Sequence, residues 1–330
     1  MGRSLQYGLQ EIMKITKYIA FAIILTACIG CVDCGIESST YNTFYGTKAW
    51  DLVKAIGSGD TVRMEEILNK DSSLINYCDS NGMSILMHVV FDQTRVRFPY
   101  TLINESSYGG DPENNPENKI VFCYLLNKGA DVNIKSKNGG TALTIACAKR
   151  KGDADYVKLL LEYGAKIDVE ELSSATGHIH GPYTPLMYAV QSERKDYINL
   201  LISHGADIEY SNNVGSRALS EAMWLRDKEQ GYSMVLYLLS LGADYITPYC
   251  KYWRTINNDR ISNNDRISFV ENLRYQMNRL GSREHKQKME IVDFLRKNGI
   301  YYKKVPIPEE IVEFAKRDYP DSWQEYLDKY

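Results

Sequence analysis

NKGADVN (127–133), EYGAKID (162–168), SHGADIE (203–209) and SLGADYI (240–246) are four versions of one heptapeptide, and each closes an apolar run. The runs are VFCYLL (121–126), YVKLLL (156–161), YINLLI (197–202) and MVLYLL (234–239), with apolar residues at helical spacing. A glycine just past such a run suits the left-handed stop of a helix. EIVDFLRKNGI (290–300) is a fifth, degenerate copy. The chain is therefore built on a recurring helical unit.

A second signature lies upstream of each closing helix: GMSILMHVV (82–90), GGTALTIAC (139–147), YTPLMYAV (183–190) and GSRALSEAM (215–223). Together the two signatures resemble the ankyrin repeat. In that family a Thr-Pro-Leu-His turn opens a first helix, a second returns antiparallel, and a Gly-Ala-Asp end leads into a hairpin finger. The register agrees with the resemblance: Thr184 to Gly205 is 21 residues, while Gly129 to Thr141 and Gly205 to Arg217 are each 12. That gives the period near 33 of such repeats. The resemblance covers residues 47–304 and implies a mainly α solenoid of about six helix pairs with short hairpin fingers. Residues 49–76 are expected as an N-terminal capping unit in which residues 71–74 replace the Gly-Ala-Asp end.

Departures from the family pattern carry their own expectations. The turn His is replaced by Met87, Thr144, Met187 and Ser220, so weaker hydrogen bonding between repeats is expected, and the turn Pro is kept only as Pro185. In the last copy Arg296 stands where earlier copies have Leu126, Leu161, Ile202 and Leu239. Residues 305–330 are expected to form a helical cap that partly covers that face, one helix opened by Pro308 and another by Pro320. The last first-helix is expected over 269–280, after the tandem hexapeptide NNDRIS (257–262, 263–268), which reads as a duplicated loop. Ser84 to Gly129 is 45 residues, about 24 beyond the family spacing, so 91–119 is expected as a long polar loop. A smaller insertion lengthens the finger between Val169 and Tyr183.

The chain has 330 residues, 44% of them hydrophobic and 25% charged, which is the composition of a folded protein. A net charge of −3 gives no global field for nucleic acid. Residues 18–32 (YIAFAIILTACIGCV) are apolar, follow Lys14 and Lys17, and are too short for a typical spanning helix. They read as the apolar part of an export signal. Within them Leu25, Thr26, Ala27 and Cys28 resemble the lipobox of bacterial lipoproteins, whose cysteine is lipidated and becomes the mature N-terminus, with Cys31 as the alternative acceptor. A cleaved signal, a short anchor, or a metal or cluster site at Cys28, Cys31 and Cys34 are the other readings. The long stretch before Met13 suggests a start there. The expected organisation is an export segment over 1–34, a linker over 35–46, repeats over 47–304 and the cap. Cys78, Cys123, Cys147 and Cys250 show no paired spacing and read as packing thiols.

No Walker loop, dinucleotide fingerprint, HExxH or nucleophile elbow is present, and no cofactor is implied. His178 and His180 could face one metal if alternate residues of a strand point to one side, but two solvated finger histidines are the ordinary outcome. The resemblance implies a groove of finger tips and exposed first-helix residues that binds a protein. By register the groove includes Asn81, Met83, Phe91, Asp92, Lys137, Asn138, Lys149, Tyr183, Gln191, Asn213, Val214, Ser216, Trp224 and Leu225. Phe91, Asn138, Tyr183, Val214 and Trp224 are the candidate partner contacts, the aromatic ones because such anchors dominate interfaces. The competing reading tucks Phe91 and Trp224 beneath their insertions. The expected function is a non-enzymatic, monomeric scaffold for an unknown protein, with no nucleic acid. It is expected in the bacterial cell envelope, held at the membrane by a lipid or short apolar anchor, or secreted. A metal-binding, enzyme-regulating or toxin-immunity module is the alternative.

Overall fold

The computed structural model describes residues 43–91, 116–171, 182–212, 215–250 and 266–329. Six helix pairs follow one another within them: α1 (Trp50–Gly57) with α2 (Thr61–Lys70), α3 (Ile85–Phe91) with α4 (Pro116–Asn127), and α5 (Ala142–Cys147) with α6 (Ala154–Glu162). The rest are α7 (Pro185–Gln191) with α8 (Lys195–Ser203), α9 (Ala218–Met223) with α10 (Lys228–Ser240), and α11 (Phe269–Tyr275) with α12 (Arg283–Lys297). The first helices α3, α5, α7 and α9 pack each on the next, while α8 packs on α6 and α12 on α10 as an outer layer. One continuous apolar core runs through the stack, from Phe44 and Leu52 through Leu143 and Leu186 to Phe269 and Leu295. Such a stack hides each unit's apolar face only against its neighbours, which is why the repeat has to recur.

Local chemistry sets where the helices start and stop. Thr184 caps α7 by accepting the Met187 N–H at 3.3 Å, with Pro185 in the first turn, where its missing N–H costs nothing. At the other end Gly129, Gly164, Gly205 and Gly242 take positive φ. The alanine after each donates to the carbonyl five residues back, from Ala130 to Leu125 at 3.0 Å through Ala243 to Leu238 at 3.1 Å. A side chain at φ near +90° is strained, so glycine is the residue that lets this stop form.

The missing turn histidines are partly made good by hydroxyls. Thr144 Oγ1 accepts the Thr141 N–H at 2.8 Å and donates to the Thr141 carbonyl at 2.9 Å. Ser220 Oγ does the same for Arg217, at 2.8 and 2.7 Å. Each turn is thereby held by its own unit.

Two helix boundaries and the placing of the tail differ from expectation. Helix α4 begins at Pro116, so the part of the insertion outside the described residues is 92–115. Within the first turns of α4, Asn118 donates to the Val89 carbonyl at 3.3 Å and Lys119 pairs with Asp153 at 3.1 Å, contacts that hold those turns against α3 and α6. Helix α11 ends at Tyr275 rather than near 280. The chain leaves the helix there because Lys288 donates to the Gln276 carbonyl at 3.0 Å and Tyr232 to Asn278 Oδ1 at 2.8 Å. Lastly, the tail forms α13 (Glu309–Asp318) and α14 (Trp323–Lys329), but it rests on the α11–α12 loop: Tyr326 donates to the Asn278 carbonyl at 3.0 Å and its cluster takes in Leu280. Arg296 stays exposed, paired with Asp293 within its own helix. The only strands among the described residues are β1 (Tyr249–Cys250) and β2 (Arg266–Ile267), antiparallel.

Candidate interaction surface

Three of the four heptapeptides end in a polar residue, and that residue is what ties one finger to the next. Asn133 Oδ1 accepts the Lys166 N–H at 2.8 Å, while its Nδ2 donates to the Gly164 carbonyl at 3.0 Å. Asp168 accepts the Asp207 N–H, and Glu209 Oε1 accepts the Asp244 N–H at 2.7 Å. Asn76, at the end of the capping unit, begins the series by accepting the Asp131 N–H at 2.8 Å. These four side chains form a ladder along successive units, and it stops where Ile246 replaces the polar residue. Burial, with the neighbouring Asp207 charge, lifts Asp168 above the ordinary carboxylate range despite the Asp207 N–H.

The finger backbones are also close. Lys137 N–H donates to the Asn81 carbonyl at 2.9 Å, and Asn212 Nδ2 to the Pro182 carbonyl at 2.8 Å. A Cβ on Gly139 would lie 2.8 Å from the Glu170 carbonyl, and one on Gly140 would lie 2.7 Å from the Glu171 carboxyl carbon. Arg217, at the turn position usually held by Thr, is buried and joins Glu209 at 2.8 Å and Asp244 at 3.7 Å. The fingers are thus spaced by hydrogen bonds and close backbone approach, which gives the face they form a fixed pitch.

The expected groove residues divide into two groups on this face. Asn138 and Lys137 are exposed at a finger tip, Phe91 is 43% exposed at the end of α3, and Trp224 is half-buried at the end of α9. The Lys149 ammonium lies 4.2 Å from the Phe91 ring centre, and that of Lys228 lies 5.8 Å from Trp224. Phe91 is open to a partner to the extent its exposure shows, with a cation already on its face.

Tyr183, Ser216 and Leu225 belong to the other group: they are buried, at 6%, 1% and 3% exposure. Tyr183 pairs its backbone with Glu171, closing the base of the lengthened finger. Its ring meets Tyr188 edge-on at 5.3 Å, and its hydroxyl donates to Glu221 Oε2 at 2.8 Å. Glu221 is fully buried and also accepts from Gln191 Nε2 at 2.7 Å and from Ser216 Oγ. A buried carboxyl group is tolerable only with such donors, so Tyr183 and Ser216 are held by it beneath the groove rather than presented in it, and the half-buried Gln191 is tied to it. Leu225 is core because Gly231 at the start of α10 packs over it. The sequence pattern places these residues by register alone, and the available signal is Glu221, an acid where the other units have His88, Ile145 and Tyr188.

A second buried acid, Asp79, sits at the first finger and is paired with a histidine. His88 Nε2 lies 3.1 Å from Asp79 Oδ2, and Asp79 Oδ1 accepts the N–H groups of Asn81 and Met83 at 2.8 and 2.9 Å. Phe44 meets the imidazole edge-on at 4.9 Å. Burial pushes Asp79 up, but those N–H groups and His88 outweigh it and leave the carboxyl below its ordinary value. For His88 burial wins over the attraction of Asp79, and its pKa is lowered.

Val214, Asp92, Asn213, His178, His180, Cys28 and Cys31 lie outside the described residues. Among the described residues no three His, Cys, Asp or Glu side chains come together as a metal site, and no helix is long and apolar enough to cross a membrane. Cys147 is buried, which raises its thiol pKa, while Cys78 and Cys123 are half-buried, and all three are free.

The geometry defines a solenoid of stacked helix pairs with an interaction face made by fingers and first helices. Residues 113–212 match the family model for ankyrin repeats in three copies, and the fold is an ankyrin-repeat solenoid. Over 108 residues the chain is 34% identical to the putative ankyrin repeat protein FPV024 of fowlpox virus, covering 33% of this chain and 17% of that protein. Over 127 residues it is 39% identical to the ankyrin repeat and SAM domain-containing protein 6 of Mus musculus, covering 33% and 14%. A third relative is the ankyrin repeat and SOCS box protein 11 of Mus musculus, 35% identical over 101 residues, 30% of this chain and 27% of that protein. The chain thus spans less than a third of the length of each of these relatives.

Proposed function

We propose that this chain is a non-enzymatic scaffold that holds a protein partner along its fingers and first helices, and that it is exported and tethered to a membrane by a lipid on Cys28. Ankyrin repeats imply a protein–protein interaction scaffold, and the hydrogen-bonded ladder supports that role here. Asn133, Asp168 and Glu209 fix the spacing of neighbouring fingers before any partner arrives, so little ordering is left to oppose binding. Phe91, Asn138 and Trp224 are the proposed contacts among the described residues, and Val214 is proposed from register alone. A photo-crosslinking side chain at Asn138 should capture a partner that the same group at Lys158, on the outer helix α6, does not. Equal capture at both positions would rule out the finger face as the binding side.

The anchor rests on the lipobox-like run at 25–28 behind a signal-sized apolar stretch. A lipidated N-terminal cysteine carries at least two chains, enough for stable attachment. Labelled palmitate should enter the wild-type chain made in a bacterium and be lost in Cys28→Ala; a soluble, unlabelled wild type would overturn the anchor.

A further inference from the structure

We draw no further inference here: the strongest candidate, the open groove of about 860 Å³ between the outer helices α2 and α4, where Val62, Ile120 and Tyr124 are presented, is an unpartnered apolar face, and nothing among the described residues shows what covers it.

Discussion

Asn133 shows how one side chain can serve two units, since its amide both accepts from Lys166 and donates to Gly164. Asn133→Ala should lower stability by about 1–2 kcal/mol in urea, the usual cost of losing such bonds, while Asn133→Asp, which keeps the acceptor, should lose less. Equal loss in both would mean the acceptor is not what matters. Gly139 makes a different case, because its φ of +84° and its closeness to the Glu170 carbonyl both exclude a side chain. Gly139→Ala is expected to cost about 1–3 kcal/mol, read from the same titration. His88 and Asp79 give stability a pH dependence with a definite sign. An unfolded His88 takes up its proton below about 6.5, where the folded, buried one resists it, so stability falls as pH drops from there toward the lowered folded value. Asp79 adds a second loss below about pH 4, where only the unfolded carboxyl is protonated. Urea midpoints at pH 7 and 5.5 should differ more in the wild type than in His88→Gln; identical shifts would remove His88 as the cause.

For the helices and fingers, the question is which side chains shape the face and which are displayed on it. Tyr183 and Trp224 looked alike from register, both aromatic and both at groove positions. In the fold Tyr183 is a buried donor to Glu221, whereas Trp224 is half-exposed at the end of α9. Tyr183→Phe should therefore cost about 1–3 kcal/mol of stability, because it leaves a buried carboxylate short of a donor, and should leave partner affinity nearly unchanged. Trp224→Ala should do the reverse, weakening capture of a partner by about 2 kcal/mol or more if it anchors the interface. Calorimetric or surface-binding titration against the crosslinked partner, alongside thermal melts, separates the two. Reading Tyr183 as a contact failed because period counting says which side of a unit a residue occupies, not whether a neighbouring unit has already claimed it.

Across the whole molecule, the repeat count, the order of helix pairs and the side bearing the fingers were legible from GADVN-like ends and Thr-Pro-Leu-like turns. These depend on local rules: glycine at a left-handed stop, a hydroxyl at a helix start and apolar residues every three or four positions. Local rules act over a few residues, so one sequence displays them directly. Asn133, Asp168 and Glu209 stand at the ends of three of the quoted heptapeptides, yet their role, like that of Asn76, shows only where the next unit's N–H reaches them, within 3 Å at Asn76, Asn133 and Glu209. The same holds for the early end of α11, the placing of the tail on the α11–α12 loop, and the burial of Tyr183, Ser216 and Leu225. Tyr326 with Asn278, Tyr232 with Asn278 and Tyr183 with Glu221 meet across 38 to 48 positions, while Ser216 and Leu225 are enclosed by nearer residues that the fold turns back on them. Periodicity says that units stack, but the packing of neighbours decides which polar groups must find partners inside and which are left for another protein.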